Sequence, residues 1–237
     1  MPTTIEETEN IIALNKPSGL IVHSDGRTEE SSVADWVAHN FPGLSGIGGD
    51  WVSPQDMHVP LNGILHRLDR TTSGVLLVAK NQPTYEYFKQ EFKARRVLKT
   101  YRVLVYGLME GEGEVVAEIA RSSVAPKQWY ARPCAVDDRR AAITSWRVLK
   151  SRQDQGGEDV TYLEASPRTG RTHQIRVHLA SIGHPVVADH LYASDRPSLF
   201  GFTRPALHAY SISITLHGNV KTFTAPLPED FARSGFA

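Results

Sequence analysis

A densely charged segment stands directly before an apolar one in this chain, and this junction constrains the fold more than any other feature. Residues 66–74 read His-Arg-Leu-Asp-Arg-Thr-Thr-Ser-Gly, and residues 75–79 follow as an uninterrupted apolar run. A short apolar run that begins after a glycine is typical of a buried strand. Ionisable groups beside a core strand are costly to bury unless they pair or have a function. The sequence therefore predicts a polar cluster at the edge of a hydrophobic core.

Helices and strands are mixed along the rest of the chain. Strands are expected at 75–79, 99–106, 141–150 and 160–166, and helices at about 83–96 and 172–182. Pro83 suits the first turn of the first helix, and Thr172 is expected to cap the second. The order lacks regular strand-helix-strand alternation. We therefore expect an α+β fold with a mixed, largely antiparallel central sheet flanked by helices and loops.

No repeat or low-complexity linker divides the 237 residues. We expect an N-terminal tail at 1–10 and one domain at 11–237. Residues 42–60 are rich in glycine and proline, which predicts a loop insertion there.

Charge is balanced over the whole chain but unevenly distributed. The chain has 26 basic and 26 acidic residues, which argues against a protein coated in basic side chains. However, residues 1–60 hold 2 basic and 9 acidic residues, whereas residues 61–105 hold 9 basic and 3 acidic ones. The second of these segments contains the charged cluster, so a basic strip beside that cluster is expected.

Cysteine content and hydropathy exclude several classes of protein. Cys134 is the only cysteine, so an intramolecular disulfide and a cysteine zinc cluster are excluded. Residues 1–10 lack the basic and apolar regions of a signal peptide, and no apolar run is long enough to span a membrane. We therefore expect a cytoplasmic protein that does not associate with a membrane.

A second charged cluster lies at the start of the second predicted helix. Residues 168–178 contain three arginines and two histidines, and the N-terminus of a helix attracts phosphate. From the residues alone, this segment is equally consistent with an ordinary charged helix face. Likewise, residues 66–74 are consistent with a solvated loop that holds an Asp–Arg pair, and Tyr101 with a buried core tyrosine.

Five segments, in order, resemble the RluA-type family of RNA pseudouridine synthases. The family motif H-R-L-D-x-x-T-S-G matches residues 66–74, K-x-Y matches 99–101, and G-R-T-H-Q-I-R-V-H-L matches 170–179. The N-K-P-x-G and L-H-A elements resemble residues 15–19 and 207–209. The similarity covers about residues 11–215. With few residues before Asn15, we expect a single catalytic domain without the S4-like RNA-binding domain of some relatives.

Two departures from the family pattern follow the Gly-His-Pro turn at 183–185. Ala188 and Ala193 stand where glycine is usual. Neither lies in a catalytic motif, so they are expected to affect only the shape of the local loop.

The resemblance implies a pseudouridine-synthase-type catalytic domain with an active-site cleft across the sheet. It further implies an isomerase that converts specific uridines of ribosomal or transfer RNA to pseudouridine, with no cofactor and no metal. The reaction breaks the N-glycosidic bond, turns the uracil over and rejoins it through carbon. It needs no external water, so one carboxylate can replace the two of ordinary glycoside hydrolysis.

Roles for individual residues follow from the same resemblance. Asp69 is the expected nucleophile, attacking either ribose C1′ or uracil C6, with Arg176 as its cationic partner. Tyr101 is expected to stack on the target uracil and to assist the removal of the C5 proton. Arg67 is expected to fill the space of the flipped base. The other expected RNA contacts are His66, Arg70, Thr72, Lys99, Arg171 and His173.

Other functions fit the sequence less well. Residues 43–47 miss the serine hydrolase pattern G-x-S-x-G at its last position, and no P-loop is present. The spacing of His173, His178, His184 and His190 matches no known metal signature. The main alternative is a non-catalytic RNA-binding protein that retains the synthase fold. RNA is the expected partner in either case, with no obligate protein partner and a monomer as the default.

Overall fold

The computed structural model describes residues 1–24, 30–52, 56–125, 127–136, 138, 140–216 and 218–236. Its strands are β1 (Thr3–Glu7), β2 (Ile11–Lys16), β3 (Asp50–Val52), β4 (His58–Pro60), β5 (Ser73–Ala79), β6 (Leu98–Tyr106), β7 (Glu112–Arg121), β8 (Trp129–Pro133), β9 (Ala141–Gln153), β10 (Asp159–Pro167), β11 (Leu207–Leu216) and β12 (Asn219–Thr224). Its helices are α1 (Val33–Asn40), α2 (Gln82–Lys93), α3 (Gln174–Ser181) and α4 (Glu229–Arg233). The chain forms two compact units, Met1–Val97 with Ser211–Pro226, and Leu98–Tyr210 with Leu227–Ala237.

In the first unit, β2 pairs antiparallel with β1 on one side and with β5 on the other. Every residue of β5 is buried, as the apolar run predicts. Val75, Leu77 and Phe88 of α2 share a core with Ile212 and Ile214, which lie in the part of β11 that pairs with β12. Helix α2 begins where the Asn81 side chain accepts a hydrogen bond from the Thr84 N–H at 2.9 Å, with Pro83 in its first turn. This local capping explains why the helix is predictable from sequence.

In the second unit, five antiparallel strands lie in the order β6-β10-β9-β7-β8. Val103 to Tyr106 of β6 are all buried, so both faces of this strand are covered. Ile175 and Leu179 of α3 belong to the core of this unit, as does Phe231 of α4. The unit therefore combines one antiparallel sheet with helices packed on it.

The predicted α+β class with a largely antiparallel sheet is confirmed. The strands expected at 75–79, 99–106, 141–150 and 160–166 correspond to β5, β6, β9 and β10. The cleft across the sheet and the domain boundaries stay predictions.

Two segments contain more regular structure than the sequence indicated. Residues 1–10, predicted as a tail, contain β1. Residues 42–60, predicted as a loop insertion, contain a short 3-10 helix at Pro42–Leu44 and the hairpin of β3 and β4, while residues 53–55 lie outside the described part.

Among the described residues, no helix has the length and apolar character needed to cross a membrane.

Candidate active site

The predicted site residues divide between the two units. The first unit holds His66, Arg67, Asp69, Arg70 and Thr72, and the second holds Lys99, Tyr101, Arg171, His173 and Arg176. The expected pairing of Asp69 with Arg176 joins residues of different units and stays a prediction. Each group has its own scaffold.

Asp69 lies in a tight turn that leads into β5. The Thr72 N–H donates to the Asp69 carbonyl oxygen at 3.1 Å, and the Ser18 hydroxyl donates to the Thr71 carbonyl oxygen at 2.9 Å. The Asp69 side chain is half-buried, while Leu68 beside it is buried. The backbone on both sides of the carboxylate is therefore fixed by hydrogen bonds and packing.

A fully buried lysine anchors the same turn. Lys16 ends β2 opposite Gly74, at the start of β5. Its ammonium donates to the carbonyl oxygens of Pro17 at 2.9 Å, Leu20 at 2.8 Å and Arg70 at 3.2 Å. An ammonium has three donors, and a buried charge is tolerated only when such groups are satisfied. Lys16 therefore ties the Asn-Lys-Pro segment to the turn that carries Asp69.

The histidine and arginine side chains of the first unit have different surroundings. His66 Nε2 accepts a hydrogen bond from the Leu77 N–H at 3.1 Å, and its ring lies 5.2 Å from that of Phe92. Arg70 forms a two-point ion pair with Glu30, in which Nη2 and Oε2 are 2.7 Å apart. Arg67 is exposed. Burial, together with the charge of Arg67, lowers the pKa of His23 to about 4, so this histidine is neutral at pH 7.

In the second unit, β6 carries Lys99 and Tyr101 two residues apart. Tyr101 lies opposite Ala165 of β10 and is half-buried against the core of this unit. The Lys99 ammonium donates to the Thr169 carbonyl oxygen at 3.0 Å, and burial lowers the pKa of Lys99 from 10.5 to about 8. Lys99 therefore contacts the loop that leads to α3.

Gln174 holds this loop, residues 168–173, against β9. Its side-chain oxygen accepts hydrogen bonds from the Thr169 hydroxyl at 2.7 Å and the Arg171 N–H at 3.0 Å. Its side-chain nitrogen donates to the Ile143 carbonyl oxygen at 2.9 Å and to the Thr144 hydroxyl at 3.0 Å. All four hydrogen-bonding positions of this buried amide are thus used, which fixes the loop.

The predicted cap of the second helix is wrong. Helix α3 begins at Gln174, so the capping position is His173 and not Thr172. His173 has the left-handed conformation, with φ of 55°, and makes no side-chain capping bond. Instead, its Nδ1 lies 2.8 Å from the Tyr192 hydroxyl. The sequence favours Thr172 as the cap because threonine is a common capping residue and precedes the apolar positions of the helix.

Arg176 is buried in α3 and bound by Asp189. Arg176 Nε is 2.6 Å from Oδ2 of Asp189, and Nη2 is 2.7 Å from Oδ1. Asp189 directly follows Ala188, and the expectation that the alanines at 188 and 193 affect only the shape of the local loop stays a prediction. No sequence pattern indicates that Asp189 contacts Arg176.

Over the described ranges, no group of three or more His, Cys, Asp or Glu side chains is arranged to hold a metal ion. His178, one of the four histidines whose spacing matches no metal signature, is buried, and its Nδ1 lies 3.0 Å from the Thr144 hydroxyl. Burial lowers the pKa of His178 to about 4. This histidine is therefore a neutral core residue at pH 7.

Replacing Lys16 with methionine tests the anchoring of the Asp69 turn. Lys16→Met keeps the volume but leaves carbonyl oxygens buried without their donor, so we expect a loss of about 3–5 kcal/mol in the free energy of unfolding. Urea denaturation measures this loss. Lys80→Met is the matched control, because Lys80 pairs with Glu7 near the surface and its loss costs about 1 kcal/mol or less. Equal midpoints for Lys16→Met and wild type would refute the anchor.

Ala188 and Ala193 allow a second matched comparison. Both are 4% exposed, but only Ala188 has a positive φ, of 57°. Glycine relieves left-handed strain at 188 and only adds chain entropy at 193. We expect Ala193→Gly to lower the free energy of unfolding by about 1 kcal/mol, and Ala188→Gly to leave it within about 0.5 kcal/mol. Equal losses in thermal or urea unfolding would contradict this reading.

Comparison with known proteins shows consistent similarity. Residues 10–181 match the family model described as RNA pseudouridylate synthase. A protein of Aquifex aeolicus named as an uncharacterized RNA pseudouridine synthase is 37% identical over 189 residues, which is 79% of this chain and 55% of that protein. The ribosomal large subunit pseudouridine synthase D of Nitrosomonas europaea is 33% identical over 234 residues, covering 95% of this chain and 62% of that one. This chain thus spans less than two thirds of the length of these relatives.

Solved structures agree with the sequence comparison. The human RNA pseudouridylate synthase domain containing 1 superposes with a TM-score of 0.71 at 25% identity, covering 96% of this chain and 84% of that chain. The human RNA pseudouridylate synthase domain containing 4 superposes with a TM-score of 0.73 at 23% identity. This second similarity supports the fold alone.

Proposed function

Because this chain belongs to the RNA pseudouridylate synthase family, in its RluA type, we propose that it isomerises specific uridines of structured RNA to pseudouridine. One observation carries the proposal. The region that matches the family model contains Asp69, Tyr101 and Arg176 together, with their motifs intact. A protein that only binds RNA has no need of a carboxylate nucleophile.

The chemistry balances without a cofactor or water. The bond between N1 of uracil and C1′ of ribose breaks, a bond between C5 and C1′ forms, C5 loses its proton and N1 gains one. Asp69 is the nucleophile, at C1′ or at C6, and it holds the detached half of the substrate while the uracil turns over. The support is structural, because the hydrogen bonds of Lys16 and Ser18 fix the backbone of the Asp69 turn. A fixed backbone keeps a nucleophile in its productive orientation.

The target uridine must leave its stack to react, at a cost of a few kcal/mol. Tyr101 stacks on the extruded uracil, in keeping with its half-buried ring. Arg67, which is exposed, takes the space that the base leaves. During base flipping, Tyr101 therefore contacts the extruded base, and Arg67 occupies the space left in the RNA.

Several cations position the RNA through its phosphates. Arg171 is exposed beside α3, and Lys99 stands near it on the same loop scaffold. Arg70 pairs with Glu30 on the surface, where an ion pair contributes about 1 kcal/mol or less and is readily exchanged for a phosphate contact. His66, Thr72 and His173 complete the proposed RNA contacts.

We propose ribosomal RNA as the first substrate to test, because several relatives carry the ribosomal large subunit in their names, with transfer RNA as the second. The protein acts in the cytoplasm, as a monomer and without an obligate protein partner.

Pseudouridine mapping tests the function. Total ribosomal and transfer RNA from a strain that lacks the protein is incubated with wild type and with Asp69→Ala, and new pseudouridines are mapped. We expect new sites with wild type only, with turnover by Asp69→Ala lower by a factor on the order of 10⁴ and RNA affinity within about threefold. RNA binding with no new site would favour the non-catalytic RNA-binding alternative. Equal turnover by Asp69→Ala would refute the role of Asp69.

The pKa of Lys99 gives RNA binding a defined pH dependence. With a pKa of about 8, Lys99 is charged at pH 7 and mostly neutral at pH 9. We expect Lys99→Met to weaken RNA binding at pH 7 and to reduce the salt slope by about 1, and to bind like the parent at pH 9. Binding is measured in an Asp69→Asn background to prevent turnover.

Lys99→Arg is the control for this titration, because arginine keeps its charge at both pH values. Its binding is expected to change less between pH 7 and pH 9 than that of the parent. An equal effect of Lys99→Met at both pH values would exclude Lys99 as the titrating phosphate contact.

A further inference from the structure

We propose that Asp189 is a positioning residue, which holds the guanidinium of Arg176 in the orientation that the reaction requires. This inference rests on the proposed function, in which Arg176 serves the nucleophile. It adds a residue outside the three predicted catalytic positions. Asp189 acts through Arg176 and does not itself touch the substrate.

The contact between the two side chains is buried and two-point. The side chain of Arg176 is 5% exposed and that of Asp189 is 0% exposed. Parallel N–H···O bonds of 2.6 and 2.7 Å make this a charge-assisted pair with fixed geometry. A surface ion pair would leave the arginine free to change rotamer, whereas this one determines where the guanidinium plane lies.

Asp189 is itself held by its own loop. Its Oδ1 accepts hydrogen bonds from the N–H of Leu191 at 3.0 Å and of Tyr192 at 3.3 Å. Its backbone N–H donates to the Val186 carbonyl oxygen at 3.2 Å. The loop therefore fixes the Asp189 carboxylate, which in turn fixes the Arg176 guanidinium.

Tyr192 restrains the face of the same guanidinium. Its ring centre lies 5.1 Å from Arg176 Cζ, within range of a cation–π contact. The Tyr192 hydroxyl accepts a hydrogen bond from the Trp129 N–H at 3.1 Å and lies 2.8 Å from His173 Nδ1. The arginine is thus fixed both along one edge and on one face.

Asp189 engages one defined edge of the Arg176 guanidinium. Asp189 engages Nε and Nη2, which use two of the five N–H donors of a guanidinium. The other three donors belong to the terminal nitrogens, the edge that suits a second carboxylate. Because Asp189 already balances the positive charge, Arg176 acts on the nucleophile as an oriented donor. Lysine, with a single compact ammonium, has no equivalent pair of edges.

Single-turnover kinetics with Asp189→Asn test the proposal. The asparagine keeps the size of the side chain but replaces one acceptor with a donor that faces the guanidinium. We expect the rate of pseudouridine formation at saturating enzyme to fall at least tenfold, while RNA affinity stays within threefold. Circular dichroism and a thermal melt establish that the variant is folded at the assay temperature.

Asp230→Asn is the matched control. Asp230 binds Arg204 through Nε and Nη2 at 2.7 and 3.0 Å, in the same unit and also largely buried. Breaking this pair lowers stability without affecting the reaction, so the rate is expected to stay within twofold of wild type. A similar fall in rate for both variants would show a general loss of stability and would overturn the positioning role.

A double substitution separates positioning from a structural role that merely lowers activity. If Asp189 acts only through Arg176, adding Asp189→Ala to Arg176→Ala changes the rate less than twofold. A further fall as large as that caused by Asp189→Ala alone would overturn the proposal, as would a folded Asp189→Asn variant with the wild-type rate. If wild type itself forms no pseudouridine, the proposed function fails and the positioning role falls with it. If wild type is active and Asp189→Asn equals it, only the positioning role fails.

Discussion

The first unit depends on a charge buried among backbone carbonyls. The Lys16 ammonium is fully buried and donates to three carbonyl oxygens, those of Pro17, Leu20 and Arg70. Because burying an ammonium is costly unless its donors are satisfied, these hydrogen bonds favour the two segments adopting their conformations together. The consequence reaches the proposed chemistry, since Arg70 adjoins Asp69. Lys16 thereby fixes the course of the backbone that carries the proposed nucleophile.

In the second unit, an amide and a carboxylate are buried polar groups that must be satisfied by hydrogen bonds. There, the buried amide of Gln174 fixes the loop before α3, and the buried carboxylate of Asp189 fixes the arginine within it. In both units, polar groups that are expensive to bury are satisfied by partners from distant segments. Such networks specify a single geometry, which apolar packing alone does less sharply. Each unit thus fixes its own group of candidate site residues.

Local signals in the sequence account for much of the fold. Strand β5 and helix α2 are predictable because the apolar run, Pro83 and the α2 stripe act over a few residues. Strand β1 is not, because its polar residues carry no strand pattern and it forms through pairing with β2. The division into two units also has no marker in composition.

In the candidate site, too, local motifs are predictable from the sequence and long-range contacts are not. The motifs identify Asp69, Tyr101 and Arg176 as candidates, but the structural partners are long-range. Nothing local indicates that Lys16 is buried, or that Asp189 reaches back 13 residues to Arg176. The sequence places the cap at Thr172, whereas His173 occupies the capping position with a left-handed backbone and α3 begins at Gln174. Contacts that depend on tertiary structure are the ones that a linear reading misses.

Release of the C5 hydrogen measures directly whether Asp69 promotes an isomerisation at C5 of uridine. RNA that carries tritium at C5 of its uridines is incubated with wild type and Asp69→Ala. We expect wild type to release one tritium for each pseudouridine formed, with no free uracil, and Asp69→Ala to release tritium more slowly by a factor on the order of 10⁴. Free uracil from the wild-type reaction, or equal tritium release by Asp69→Ala, would contradict this expectation.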